Sequence, residues 1–269
     1  MNGEVKKRKR TLSPFLIIFI LALLAVILTA VYVYVSVGYR YIKTTDGNAF
    51  MGTVKDGIPY SGTVRYADGL KAELDMEKGT LTYSSGDVYT GEIYNLLRSG
   101  RGKMVYKSGD VYEGTFYNNV ITGEGKLTYA NGDVYEGSFV NGERSGTGKY
   151  TWSDGSSYEG EFLNNKKHGQ GVYKWTNGAS YTGEYKNDVK DGVGTFIFQN
   201  GDVYTGDFVN DARTGSGVYL NANGEKYEGE FLNNKMHGYG TYTWPGDPNP
   251  RTYTGYFENG EIVLESDEQ

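Results

Sequence analysis

The sequence contains no cysteine, which excludes a disulfide framework, a thiolate zinc site and a thiol nucleophile. Its two histidines leave little room for the commonest catalytic base or metal ligand. Leu, Ile, Val and Phe together make up only about a fifth of the chain, a composition near that of disordered proteins. Tyrosine offsets this scarcity: 26 Tyr stand against 5 Pro, and a chain rich in large flat rings and poor in proline can build packed sheet. Glycine, at 40 of 269 residues, is about twice its ordinary share and points to repetition. No nucleophile, base and orienting group recur together, so the expectation is a protein without catalytic residues, cofactor or metal, and not an enzyme.

One long apolar run is present. Residues 15–37 carry no charge and exceed the ~20 residues needed to cross a bilayer as a helix. A cleaved secretory signal would need a polar region with a small-residue cleavage site. Here Val31, Tyr32, Val33, Tyr34 and Val35 continue the apolar run past Ala30, which favours an uncleaved anchor over residues 15–38. Lys6, Lys7, Arg8, Lys9 and Arg10 precede the run and only Arg40 and Lys43 closely follow it. The more basic flank stays cytoplasmic, so the expected placement is the cell membrane, single-pass, with the bulk of the chain extracytoplasmic. Tyr32, Tyr34, Tyr39 and Tyr41 read as an interfacial belt. The basic segment leaves the rest of the chain at about −10, against a formal −6 for the whole, and a body of that sign is repelled by nucleic acid.

Beyond residue 88 the sequence repeats with a period of 23. Tyr89, Tyr112, Tyr135, Tyr158, Tyr181, Tyr204 and Tyr227 mark it, and Tyr253 follows after a proline-rich insertion. Each tyrosine opens Tyr-x-Gly-x-(aromatic or Ile), and a Gly-x-Gly pair recurs later in each unit, as at Gly146 and Gly148. Two strand-like runs flank Asn131-Gly132, a pair suited to a two-residue type I′ turn. The second connection, Val140 to Ser145, reads as a longer polar loop. Each unit is therefore expected to supply one hairpin, and successive units to continue a meandering sheet. Glycine weakens a strand unless something covers it, so each in-strand glycine is expected beneath a ring from an adjacent strand. About fourteen strands at ~4.8 Å would give a ribbon on the order of 65 to 70 Å long. The resulting division is a basic tail at 1–14, the anchor at 15–38, a juxtamembrane linker at 39–49, degenerate capping repeats at 50–88, seven repeats at 89–252, a partial repeat at 253–263 and an acidic tail at 264–269.

The Tyr-x-Gly-x-aromatic phrase with its Gly-x-Gly pair resembles the membrane occupation and recognition nexus (MORN) repeat, over about residues 50–263. The resemblance implies an all-β repeat, an elongated single antiparallel sheet of stacked β-hairpins, here preceded by one transmembrane α-helix. It also implies use as a scaffold, dimerisation surface or membrane-proximal spacer, sometimes with phospholipid. Where the family often carries Trp after the first glycine, this chain has Phe, Tyr or Ile, and no companion kinase or methyltransferase segment is present.

Candidate sites are few. Gly146-Thr147-Gly148-Lys149 lacks the spacing and following helix of a phosphate loop, no Gly-x-Ser-x-Gly elbow occurs, and the Asp-containing turns lack calcium-loop spacing. His168 and His237 stand three units apart, roughly 29 Å, and read as isolated, solvated loop residues. Sorting charges by sheet edge gives +3 on the loops and −5 on the opposite turns. Arg98, Arg144, Lys166, Lys167, Lys190, Arg213 and Lys235 therefore form a candidate interaction edge for a protein, an anionic envelope polymer or a second copy of the chain, although charge at sheet margins also protects against aggregation. The aromatic ladders could stack sugars, but rings at a structural period are expected to be core.

Overall fold

The computed structural model describes residues 13–246 and 249–264, so the basic N-terminal cluster and most of the acidic tail lie outside the described residues. The chain divides into two units, one ending at Val88 and one starting at Tyr89.

In the first unit, helix α1 (Pro14–Ser36) begins with proline in its first turn, where the missing N–H costs nothing. None of its side chains is buried, and its 23 residues span about 34 Å at 1.5 Å per residue. The helix is long and apolar enough to cross a membrane. It closes with the Val37 N–H on the Val33 carbonyl, 3.2 Å, and Gly38 at φ 70° turns the chain directly into β1 (Tyr39–Lys43). The expected linker at 39–49 is thus partly strand. β1 pairs with β2 (Ala49–Lys55), placing Ile42 opposite Phe50, and the Val54 N–H fastens the junction by donating to the Gly38 carbonyl, 3.1 Å. Arg40 folds back over the Tyr34 ring, 3.9 Å to its centre, and donates to the Tyr34 and Tyr39 carbonyls. β3 (Ile58–Arg65), β4 (Lys71–Asp75) and β5 (Thr80–Tyr83) continue the antiparallel order. Gly52 opposes Gly62, but the next partners in line are Leu74 and Leu81, both fully buried. Leucine side chains replace bare glycine in these degenerate copies.

The second unit takes all but the first residue of β6 (Val88–Tyr94), then β7 (Leu97–Val105), β8 (Val111–Tyr117), β9 (Val120–Thr128), β10 (Val134–Val140), β11 (Glu143–Thr151), β12 (Ser157–Leu163) and β13 (Lys166–Lys174). It continues with β14 (Ser180–Lys186), β15 (Val189–Ile197), β16 (Val203–Val209), β17 (Ala212–Leu220), β18 (Lys226–Leu232), β19 (Lys235–Trp244), β20 (Arg251–Glu258) and β21 (Glu261–Ile262). From β7 onward every strand pairs antiparallel with the next in sequence. The fold is an all-β stack of antiparallel hairpins with one N-terminal helix.

The two kinds of turn are the reverse of the expectation. Val140 pairs directly with Glu143 and Leu163 with Lys166, so the supposed long loops are two-residue turns. Both central residues have positive φ, as in Asn164 at 49° and Asn165 at 69°, the type I′ geometry that suits the right-handed twist of a hairpin. Asn-Asn and Asn-Asp fill these positions because the short amide or carboxylate side chain tolerates left-handed backbone. The turn at Asn131-Gly132 and its counterparts in the other units are instead three-residue loops. The Gly132 N–H donates to the Tyr129 carbonyl and the Tyr129 N–H to the Asp133 carbonyl, both 2.9 Å. Only Gly132, at 92°, has positive φ there, which marks a type I turn followed by a glycine bulge.

The two glycines of Gly-x-Gly have different duties. The first, such as Gly146 at φ 89°, lies in a bulge where Gly137 pairs with Gly148 but Phe139 pairs with Arg144. The second joins a ladder that runs unbroken from Gly102 to Gly255, each glycine between these ends facing another on both neighbouring strands. A Cβ built on Gly148 would meet Tyr135 ring atoms at 2.4–2.7 Å. The covering ring therefore lies over the ladder as expected, but it spans its own strand as well as the adjacent one, since Gly137 meets the same Tyr135 hydroxyl.

Candidate functional site

The face that carries these rings has two aromatic rows and one row of cations. The inner row, Tyr89 through Tyr227 at the 23-residue period, is at most 1% exposed. From Tyr112 onward its rings meet a Phe or Tyr of their own unit and of the next edge-on: Tyr135 lies 5.1 Å from both Phe139 and Phe162, the geometry ring quadrupoles favour. The hydroxyls donate to a carbonyl three residues on, Tyr135 to Ser138 at 3.0 Å. Burial pushes the phenols of Tyr112, Tyr135, Tyr204 and Tyr227 up to about 12, so they remain neutral donors.

The outer row sits toward the Asn-Gly turns. Trp152 packs between Tyr150 and Tyr173 at 4.6 and 5.0 Å, and Trp175 between Tyr173 and Phe196 at 4.3 and 5.2 Å. The acidic turns, predicted as a charged margin, are tied into this row. Asp133 accepts from the Tyr150 hydroxyl at 2.7 Å and the Ser153 N–H at 2.8 Å. Asp202 accepts likewise from Tyr219 at 2.6 Å and from the Ala222 N–H at 2.9 Å. These donors hold both carboxyls below the usual range, the tyrosine hydroxyl contributing most. Where the ring is Phe196, the matching turn residue is Ala179, and neither side chain brings a polar group.

The seven candidate cations separate into two sets. Arg98, Arg144, Lys167, Lys190 and Arg213 occupy one column at the start of alternate strands, partly buried over rings. The Arg144 guanidinium lies 5.1 Å from the Tyr150 ring centre and 5.6 Å from that of Phe162. Each cation also grips the type I′ turn of the following unit. The guanidinia of Arg98, Arg144 and Arg213 donate to the carbonyls of Asn119, Asn165 and Asn234, all at 2.7 Å, while those Asn side chains accept the arginines' own backbone N–H. Lys167 and Lys190 face Asp188 and Asp211 instead, whose carboxylates accept the lysine N–H at 2.8 and 3.0 Å, and the Lys190 ammonium sits 3.1 Å from Asp211. Two units lack the cation. There Ile121 and Met236 receive only a backbone bond, from Gly142 and Gly260, each at 2.9 Å. Burial pushes the Lys167 ammonium down from the ordinary lysine value, against the pull of Asp188.

Lys166 and Lys235 form the second set, one residue earlier and exposed. On the opposite face of the sheet, exposed pairs such as Lys103–Glu113 at 2.8 Å and Lys126–Glu136 at 2.6 Å are of the kind that contribute little to stability.

The histidines lie in β13 and β19, opposite Glu161 and Glu230, and not in loops. Both are half-buried, and the His168 Nδ1 is buried without a hydrogen-bond partner. Because the turns take only Asn164-Asn165 and Asn233-Asn234, the strands begin at Lys166 and Lys235 and already include both histidines. Among the described residues, no group of three His, Cys, Asp or Glu side chains could hold a metal ion.

The MORN repeat family model matches residues 89–111, 112–134, 135–157, 158–180, 181–203, 204–226 and 227–246. No curated protein matches the chain. Among solved structures, the chain is similar to the SAS-4 (dCPAP) TCP domain of Drosophila melanogaster in complex with a proline-rich motif of Ana2 (dSTIL), at 15% identity over 82% of this chain and 90% of that one, with a TM-score of 0.25. It is also similar to the TCP10 domain of Danio rerio CPAP in complex with a peptide of STIL, at 13% identity over 81% and 99%, with a TM-score of 0.28. A streptogramin B lyase follows at 13% identity over 82% and 84%, with a TM-score of 0.17. Seven consecutive matches over more than half of the sequence, on hairpins whose tyrosine and glycine columns coincide with those units, place this chain in the MORN-repeat family.

Proposed function

We propose that this protein is a non-enzymatic, membrane-anchored scaffold whose MORN repeats mediate protein–protein contacts on the extracytoplasmic side. The observation that carries this reading is α1: apolar side chains around its whole circumference, none of them buried against protein, match a segment whose solvent is lipid. The basic run Lys6–Arg10 before it favours a cytoplasmic N-terminus. The polar columns of the repeats are spent on holding neighbouring units together, which suits a rigid platform for contacts. The absence of native cysteine gives a clean test: single variants Asn2→Cys and Lys166→Cys are treated with a membrane-impermeant maleimide on intact cells. Lys166→Cys should label at once and Asn2→Cys only after lysis. The opposite pattern reverses the orientation, and release of label with a soluble fragment would show cleavage of the helix.

A second reading is favoured by the exposure of Lys166 and Lys235, which leaves two ammonium groups free to meet an anionic envelope polymer. Salt-sensitive retention of the protein on wall fragments, lost in the Lys166→Glu, Lys235→Glu double variant, would support it over protein contacts found by crosslinking.

A further inference from the structure

The outer aromatic row follows a rule for three consecutive units and then breaks it. Trp152, Trp175 and Phe198 each lie between the ring two residues before them and its counterpart in the next unit. For Phe198 these are Phe196 at 4.5 Å and Tyr219 at 5.8 Å. The next position in the column is Asn221. Tyr219 keeps Phe198 on one side, and Tyr242 keeps Trp244 on the other, at 4.6 Å. No aromatic side chain fills the place between them. A cavity of about 280 Å³ opens there, with Tyr219, Tyr242, Asn221, Glu225 and Met236 in its walls beside two cations, Arg213 and Lys235. The corresponding cavity one unit earlier, where Phe198 stands in place of Asn221 and Arg213 in place of Met236, measures about 110 Å³.

We propose that this gap is a binding slot for a planar aromatic ring carrying an N–H donor, the indole class. The chain itself supplies the template for shape, since an indole or a phenyl ring occupies the equivalent place in each of the three preceding units. The polar groups set the donor requirement. One Glu225 carboxylate oxygen accepts from the Asn221 amide at 2.9 Å and the Tyr242 hydroxyl at 3.0 Å and the carboxylate is bonded by the Asn223 side chain as well, which leaves the Asn221 side-chain carbonyl as the acceptor for a ligand N–H. The electron-rich faces of two tyrosines and the polarisable Met236 thioether suit an indole, and of the two cations in the walls the Arg213 guanidinium is already engaged, donating to the Asn234 carbonyl at 2.7 Å and lying 5.2 Å from the Tyr219 ring centre. The size suits one ring system, since the cavity falls just short of the roughly 300 Å³ at which pockets for drug-sized ligands begin.

The test uses the full chain in lipid nanodiscs, with empty nanodiscs as blank, titrated with N-acetyltryptophanamide by saturation-transfer NMR. Saturable binding is expected, weaker by at least threefold for N-acetylphenylalaninamide, which lacks the N–H. Asn221→Trp should fill the slot from within, abolishing that binding and raising the thermal midpoint by a few degrees. Asn221→Phe, a copy of the residue one unit earlier, serves the same purpose if the indole overpacks. A tripeptide Ala-Trp-Ala that binds at least as well as the amide identifies a partner's tryptophan side chain as the source of the ring. Binding of the amide alone identifies a free small molecule. Absence of saturable binding at millimolar amide, or binding undiminished in Asn221→Trp and Asn221→Phe, overturns the proposal.

Discussion

Gly148 shows how tightly one residue can be specified in this fold. It lies in a strand, where a side chain would ordinarily help, yet a methyl group there would overlap the Tyr135 ring at 2.4–2.7 Å. That ring is fully buried between Phe139 and Phe162 and has no room to swing. Gly148→Ala should therefore cost about 1–3 kcal/mol by overpacking, read as a lower urea midpoint, whereas Thr147→Ala on the exposed side should stay within about 0.5 kcal/mol. The ladder glycines and their tyrosines were legible from the sequence, because a column of bare backbone recurring beside a fixed ring makes a stable strand only when the ring covers it. The roles of Arg144 and Lys167 were not. A residue's partner 21 positions away belongs to the next unit, and reading charge by margin hides it. The signal was nonetheless present: Arg goes with Asn, Lys with Asp, and an apolar residue with Gly. A double-mutant cycle on Lys167→Met and Asp188→Gly, which recreates the Met236 and Gly260 arrangement, should show a coupling of about 0.5–1 kcal/mol in chemical denaturation. Lys167→Met with Asn234→Gly, whose sites share no partner, should be additive.

Each hairpin is closed by two turns of different design. Asn-Gly satisfies both a type I′ turn and a glycine bulge, so the dipeptide alone could not decide between them. Asn164-Asn165 reads as polar loop until the register shows Leu163 facing Lys166. The bulged turn also carries the acid that takes the tyrosine hydroxyl of the next unit, and this makes the element sensitive to acid. The folded-state values of Asp133 and Asp202 are depressed, so their stabilisation is complete above the unfolded aspartate value of about 3.9. It is lost as pH falls through the folded values. The midpoint of thermal unfolding should drop with acidification below about pH 4 more steeply for the native sequence than for Asp133→Asn, Asp202→Asn. The gap between the two at neutral pH should close in strong acid; parallel curves would show that these carboxyls do not supply the acid limb.

At the scale of the molecule, a unit of 23 residues begins and ends at the same point of the ladder. Removing residues 181–203 brings Gly171 to Gly206 as it was to Gly183 and keeps Lys167 opposite an aspartate, now Asp211. That variant should retain its far-UV circular dichroism and melt cooperatively, as nearest-neighbour stability predicts. Removal of residues 181–191, which takes one strand and reverses the direction of all that follow, should abolish the cooperative transition. The period and the hairpin count were legible because every unit repeats them. The break at Asn221 was visible as a departure in one column, but its meaning needed the rings on either side.

The matched pairs between units also act as addresses. Near-identical hairpins invite docking one place out of turn, which would still satisfy every ladder glycine and the inner row of rings. Docking the unit that carries Asn234 next to Lys190 would deprive the ammonium of its carboxylate, and docking the one with Gly260 against Arg213 would leave the guanidinium facing a turn position without an amide. The sequence of the column thus reads as a queue, in which each member recognises only the one meant to stand behind it.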